Sequence, residues 1–287
     1  SPLSPDKASA LLDMLQTVGI LPLFIPHSWE EAPFAAFAQG QIQLDEFLSR
    51  AKASYASPTT DDRPFFFLLE EGLPRELAQL SWLLIAASVA WAIYLYSYRR
   101  RLKREQGPFA WWPYFAVLGL GFMLIEIALI QDYNLFLGHP TLSLGTVLGG
   151  LLISTGLGSL AARKREGLNA RTLALRAALG ISVLGVIYLI FLPRLLSALL
   201  GVPLGIRLLV ALGTILPLGL LLGIPFPLGL RLLGARHAGA VALAWASNGL
   251  FAVSGSVLAM VVAIQWGFGF VWALGSVSYL LIAALLW

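Results

Sequence analysis

The chain has 287 residues, of which 58% are hydrophobic and 12% are charged. Soluble domains carry about 25% charged residues and about 45–50% apolar ones, so this composition excludes an ordinary soluble core. The net charge of +4 does not indicate nucleic-acid binding, because the basic residues cluster at the ends of apolar segments, where membrane topology explains them. The sequence has no cysteine, which excludes disulfides and thiolate metal sites. His27, His139 and His237 lie far apart, without metal-ligand spacing.

Residues 1–76 have the composition of an extramembrane region. Ser4-Pro5 predicts the start of a helix, and Ser28 with Glu31 has the capping-box spacing that predicts a second one. Prolines bound the segment Ser57–Phe67, which is predicted to be extended. We therefore expect residues 1–76 to be a small α/β remnant of a larger extramembrane domain, and the chain to be part of a longer protein.

From Leu77 to Trp287 the apolar segments are long enough to cross a membrane, which takes about 20 residues as a helix. Pro217, Pro225 and Pro227 predict a break or a re-entrant segment within 206–238. The predicted fold is mainly α, a polytopic membrane helix bundle of about seven spans over residues 77–287. The expected spans are 77–98, 112–135, 141–161, 174–193, 206–225, 239–265 and 269–287.

Basic residues follow the first, third and fifth predicted spans. The positive-inside rule places these segments in the cytoplasm. The N-terminal region is then expected outside the cytoplasm and the C-terminus inside, as in a bacterial inner-membrane protein. Trp111, Trp112 and Tyr114 fit an interfacial aromatic belt at the start of the second span. The basic residues are Arg99, Arg100, Arg101, Lys103, Arg104, Arg163, Lys164, Arg165, Arg171, Arg176, Arg231 and Arg236.

Glu126 is a charged residue in the middle of the second predicted span. A carboxyl group at that depth costs several kcal/mol if it faces lipid, so we expect it to face the bundle interior or a water-filled cavity. It could be a proton carrier, a cation site, a member of a buried polar network, or a protonated group kept for packing. We hypothesise that Asn248 on the sixth span pairs with it; the alternative for Asn248 is helix packing with neighbouring small residues.

Other polar residues are candidates for a site near the outer side of the membrane. Gln131 and Asp132, with Asn134 and His139 beyond them, could line a polar mouth or form a solvated helix end. Asp61, Asp62 and Arg63 could clamp a ligand, or could dock the extramembrane part onto the membrane, which we favour. A small-residue pattern on the third span predicts close helix packing at Gly145, Gly149, Gly150 and Gly156.

Four segments resemble signatures of bacterial membrane-bound spermidine synthase-like proteins. Members of that family join a Rossmann-type, S-adenosylmethionine-dependent transferase domain to membrane spans. Because the chain contains no strand, glycine-rich turn and helix of the Rossmann type, the resemblance implies a C-terminal membrane part. A transferase domain upstream, or another subunit, would be its partner and would hold any S-adenosylmethionine-type ligand. The four segments are Pro58–Phe67, Leu124–Gln131, Leu135–Pro140 and Ala244–Ser256.

A weaker resemblance links Gly158–Gly167 to a loop motif of the major facilitator superfamily, with Ala162 where that family has aspartate. It implies a facilitator-like half-bundle transporter with Glu126 as its buried polar site. A third alternative is a structural subunit of a larger membrane complex. The sequence contains no complete catalytic motif, so we assign no catalytic residue and leave these alternatives open.

Overall fold

The computed structural model of the protein describes residues 4–17, 24–25, 29–30, 34–43, 46–47, 60–65, 73–101, 107–164, 169–234 and 240–287. The chain divides into two compact units. The first comprises Ser1–Thr59 and Phe65–Gly72, and the second comprises Thr60–Pro64 and Leu73–Trp287. The short segment Thr60–Pro64 therefore belongs with the membrane helices, although the residues on both sides of it in sequence belong to the first unit.

The first unit contains two short helices and one small β-ladder among its described residues. Helix α1 spans Pro5–Thr17 and helix α2 spans Phe34–Ala38. Strands β1 (Phe24–Ile25) and β2 (Trp29–Glu30) pair antiparallel. The second predicted helix, expected to run from Ser28 to near Gly40, is present as α2, and its end is close to the predicted one. Its predicted start is wrong, because Trp29 and Glu30 pair with strand β1 instead.

The second unit is a helix bundle. Helices α7 and α8 together form one candidate span, so the unit has seven helical segments long and apolar enough to cross a membrane. The mainly α, polytopic fold predicted from the sequence is confirmed. The helices are α3 (Arg75–Arg101), α4 (Gly107–Leu137), α5 (Pro140–Lys164), α6 (Ala170–Ala198), α7 (Leu204–Leu222), α8 (Pro225–Gly234), α9 (Val241–Trp266) and α10 (Phe268–Leu286).

Helix α4 is the central element of the bundle and packs mainly against α9 and α10. Helix α3 lies at the periphery, where Trp82 is 71% exposed and Leu83 is 65% exposed. Such apolar exposure over a whole helix fits contact with lipid. The indole nitrogen of Trp91 donates a 2.9 Å hydrogen bond to Ser247 Oγ and attaches α3 to α9.

Small residues allow α5 and α7 to cross closely. A Cβ atom on Gly158 would overlap the Leu220 carbonyl oxygen, and one on Gly223 would overlap the carbonyl of Thr155. The glycine prediction for α5 is correct only for Gly150, whose added Cβ would lie 3.1 Å from Ile215. It is wrong for three glycines that face open space because they lie on the other sides of the helix: Gly145, Gly149 and Gly156.

The fifth span is broken within 206–238, as the sequence predicts, but not at Pro217, which lies inside helix α7. Helix α7 ends at Leu222, and α8 begins at Pro225. Proline has no N–H, so Pro225 and Pro227 leave helical carbonyls without their usual partners. The hydroxyl of Tyr114 donates a 2.7 Å hydrogen bond to the Pro225 carbonyl. Tyr114 is 1% exposed, so its predicted place in an interfacial belt is wrong, because its hydroxyl is required at the break.

Candidate functional site

Five side chains from four helices form a polar cluster inside the bundle, here called the Tyr133 cluster. The hydroxyls of Tyr133 (α4) and Thr214 (α7) lie 2.5 Å apart. Tyr188 of α6 donates its hydroxyl proton to the Thr214 carbonyl. Trp272 of α10 donates a 2.8 Å hydrogen bond from Nε1 to Asp132 Oδ2. The cluster therefore ties α4, α6, α7 and α10 together through polar groups.

The local sequence explains how these side chains meet. Asp132 and Tyr133 are neighbours near the end of α4, so they point toward different helices. The ring of Trp272 packs edge-on against that of Tyr188, with centroids 6.0 Å apart and planes inclined by 77°. In a membrane interior a hydroxyl or carboxyl has no water to bond, so such groups find partners on adjacent helices.

The structure brings only part of the predicted polar mouth into this cluster. Asp132 is a member, whereas Gln131 is half-buried and its side chain makes no hydrogen bond in the part of the chain that the structure describes. The side-chain oxygen of Asn134 is buried and has no partner among those residues. The His139 side chain is exposed, while its carbonyl accepts a 3.1 Å hydrogen bond from Ser143 Oγ.

Sequence reasoning missed four members of the cluster: Tyr133, Tyr188, Thr214 and Trp272. A signal was present at Tyr188, which lies within an apolar span. A tyrosine placed there needs a hydrogen-bond partner for its hydroxyl. The sequence alone does not say which helix supplies that partner.

Glu126 is half-buried on α4 and has no hydrogen-bond partner among the described residues. The predicted pairing with Asn248 is wrong. Asn248 Nδ2 donates a 3.2 Å hydrogen bond to the Phe115 carbonyl. Phe115 precedes Glu126 by eleven residues, a distance of about 16 Å along a helix. Asn248 therefore contacts the N-terminal part of α4, away from Glu126.

Glu126 lies on the same side of α4 as two residues that contact other helices. Gly119 and Tyr133 lie seven residues before and after it, which is about two helical turns each way. All three residues thus share one stripe of the helix. A Cβ on Gly119 would overlap the backbone of Asn248. Glu126 therefore lies on the stripe between the α9 contact at Gly119 and the Tyr133 cluster.

The segment Thr60–Pro64 is bonded to the junction between α9 and α10. Asp62 Oδ1 accepts a 2.7 Å hydrogen bond from the Gly269 amide, and the Asp62 carbonyl accepts one of 3.0 Å from the Phe268 amide. Arg63 Nη2 donates a 2.8 Å hydrogen bond to the Ile264 carbonyl. Thr60 closes a tight turn by accepting the Arg63 amide at 2.9 Å, so the predicted extended conformation is wrong at these residues.

The charges of this segment match the helix ends that they touch. The carboxylate of Asp62 lies at the N-terminus of α10, where the helix carries a partial positive charge. The guanidinium of Arg63 lies at the C-terminus of α9, where the helix carries a partial negative charge. Gly267, with φ of 93°, connects the two helices in a conformation that favours glycine. Asp61 is exposed and makes no such bond among the described residues.

The fold and these contacts define the class: a polytopic α-helical membrane protein with a polar interior, suited to a lipid bilayer. Among the residues that the structure describes, no group of three or more His, Asp or Glu side chains could hold a metal ion. Comparisons with known protein families, with curated proteins and with solved structures found no match.

Proposed function

We propose that the bundle anchors an extramembrane transferase-type domain, and that Thr60–Pro64 fixes that domain's last segment to the membrane helices. The observation that carries the proposal is the bonding of Asp62 and Arg63 to opposite helix ends at the α9–α10 junction. The resemblance of Pro58–Phe67 and the membrane segments to spermidine synthase-like proteins supports the same assignment.

The attachment consists of three hydrogen bonds. Asp62 and Arg63 each make one that involves a charged group, and the Asp62 carbonyl makes a neutral one. A bond to a charged group contributes about 1.5–3 kcal/mol where it is buried. Asp62 and Arg63 are exposed, so water competes with their bonds and each bond contributes less than that.

In this proposal the membrane helices carry no catalytic residue. A transferase domain, supplied by upstream sequence or by another subunit, binds the S-adenosylmethionine-type ligand. The N-terminal region lies outside the cytoplasm and the C-terminus lies inside. The basic residues Arg163, Lys164, Arg171 and Arg176 support that orientation by the positive-inside rule.

The test begins with native mass spectrometry of the protein extracted from its source membrane, with sequencing of every bound polypeptide. A continuous or bound polypeptide with a Rossmann-type glycine-rich turn, and with S-adenosylmethionine affinity, is the expected result. A chain that purifies alone or only with copies of itself would contradict the transferase assignment. Unrelated polypeptides would instead favour a structural subunit of a larger complex.

The anchoring role has its own test in hydrogen–deuterium exchange on the same preparation. In Asp62→Ala we expect faster exchange at the Gly269 and Phe268 amides, because their acceptors on Asp62 are removed or displaced. The matched control is Asp61→Ala, which removes a neighbouring carboxylate without a bond to the helices. Equal exchange in the two variants would contradict the anchor.

A second candidate function is transport through a facilitator-like half-bundle. Two observations favour it: Glu126 is half-buried without a partner among the described residues, and the α7–α8 span is discontinuous. Ionisable groups within spans and broken helices both occur at transport sites. Proton-coupled flux in liposomes that Glu126→Gln abolishes and Glu76→Gln preserves would favour this candidate. Glu76 is exposed in the first turn of α3 and is the matched control.

A further inference from the structure

A cavity of about 490 Å³ lies between the C-terminal part of α5, the first turns of α6 and the end of α7. This volume falls within the range of roughly 300–1,000 Å³ that is typical of small-molecule sites. It lies beside the break between α7 and α8, since Leu221 and Ile224 contribute to its wall. The described residues that line it are Ala161, Ala162, Asn169, Thr172, Leu173, Arg176, Ala177, Leu221 and Ile224.

The polar side chains that line the cavity differ in whether they already have a hydrogen-bond partner within the protein. Asn169 is engaged, since its side chain accepts a 3.0 Å hydrogen bond from the Arg171 amide and caps α6. Arg176 is the charged residue among the described lining, and neither it nor Thr172 makes a side-chain hydrogen bond in the described part of the chain. No described residue therefore competes with a ligand for the guanidinium or the hydroxyl.

The neighbouring arginine of the same helix, Arg171, differs from Arg176 in this respect. Arg171, one and a half turns earlier on α6, donates from Nε to the Leu286 carbonyl at 2.5 Å and from Nη2 to the Trp287 carbonyl at 2.9 Å. Its donors are committed to the end of α10. Arg176 is exposed at the cavity, and a free guanidinium fork is the geometry that binds phosphate oxygens in pairs.

The rest of the wall indicates what else the ligand must contain. Leu173, Leu221, Ile224 and the alanines are apolar, and a phosphate ion by itself has nothing to place against them. A phosphate group attached to acyl chains satisfies both parts of the surface. Basic pockets between transmembrane helices on the cytoplasmic side are suited to lipid headgroups for the same reason.

We propose that this cavity binds the phosphate group of an anionic membrane phospholipid, with Arg176 and Thr172 as the donors to the phosphate oxygens and the apolar wall against the glycerol and upper acyl chain. The site is independent of the anchoring role and of Glu126. The bound lipid fills the space that the side chains of α5, α6 and α7 leave between them.

The experiment measures lipid retention by the purified protein in a neutral detergent with native mass spectrometry. The probes are phosphatidylglycerol, diacylglycerol with the same acyl chains, and inorganic phosphate. We expect retention of phosphatidylglycerol over diacylglycerol, and a loss of about ten-fold in Arg176→Gln, because charged hydrogen bonds to the phosphate are removed. Arg231→Gln removes the same charge from an exposed position on α8 that does not line the cavity and should retain the lipid.

A second variant tests the cavity rather than the charge. Ala161→Trp fills the space from an exposed lining position, leaves Arg176 in place, and should also release phosphatidylglycerol while the protein stays folded and monodisperse in detergent. Equal retention of the two lipids, or retention that neither variant reduces, would overturn the proposal. Arg176-dependent binding of inorganic phosphate without the lipid would assign the cavity to a soluble phosphate and overturn the lipid assignment.

Discussion

The indole nitrogen of Trp272 lies 2.8 Å from the Asp132 carboxylate and joins the first turns of α10 to the last turns of α4. The same indole packs edge-on against Tyr188, whose hydroxyl bonds to the Thr214 carbonyl. One aromatic side chain therefore links a carboxylate on α4 to a tyrosine on α6, whose hydroxyl in turn bonds to a backbone carbonyl on α7. The central helix is held at this end by polar contacts as well as by apolar packing.

Trp272→Phe should destabilise the bundle by about 1–3 kcal/mol, because the Asp132 carboxylate is left without its donor. The double-mutant cycle with Asp132→Ala should give a coupling of about 0.6 kcal/mol or more, the typical value for inter-helix hydrogen bonds in membranes. Thermal unfolding in detergent micelles measures both. Trp266→Phe is the control, since Trp266 is 53% exposed; an equal effect there would contradict a specific role for the bond.

Gly158→Ala should separate α5 from α7 and cost about 1–3 kcal/mol, because the new methyl group would overlap the Leu220 carbonyl and backbone yields less readily than a side chain. Gly156→Ala is the matched control two residues earlier, where a Cβ meets nothing within 4 Å. We expect that control to be neutral or slightly stabilising, since alanine favours helix more than glycine does. Chemical unfolding in mixed micelles distinguishes the two; similar losses would refute the close crossing.

Arg207→Gln should destabilise the bundle by about 1–2 kcal/mol, because a cation at a helix C-terminus is lost. Arg207 donates from Nη1 to the Phe136 carbonyl at the end of α4, and from Nε to the Val202 carbonyl, both at 2.9 Å. Arg194→Gln is the control, since the exposed Arg194 bonds only within its own helix among the described residues. Melting temperatures of the two variants should differ, and no difference would count against the cap.

Glu126→Gln should change the free energy of unfolding by no more than about 0.5 kcal/mol, because no hydrogen bond to the described residues is lost. A large loss of stability would reveal a structural partner and remove the transport candidate. Unchanged stability with lost activity or coupling would mark Glu126 as a functional carboxyl. Unfolding in micelles and flux in liposomes from the same preparation give the two measurements.

The candidate site was only partly predictable. Asp132, Asp62 and Arg63 stand out as charged residues beside or within apolar segments. The structure gives Asp132 an inter-helix bond, and it gives Asp62 and Arg63 bonds from the segment Thr60–Pro64 to helix ends. Glu126 stands out in the same way, yet the partner proposed for it, Asn248, bonds to Phe115 instead. A side chain's polarity shows that a partner is needed, but the rotation of each helix decides which partner is in reach.

The sequence by itself determined the class of protein and the number of spans. Long apolar segments in a chain with few charges have one stable arrangement in a bilayer, a set of helices whose backbone bonds are satisfied within each span. The prolines of 206–238 predicted a break there, and the structure placed it at Pro225 rather than at Pro217. Only the tertiary structure decided that Gly158 rather than Gly156 lies at a helix crossing, that Trp272 meets Asp132, and that Arg176 lines a cavity. These outcomes depend on how helices rotate and cross, and many apolar sequences permit more than one packing until small residues and inter-helix hydrogen bonds select it.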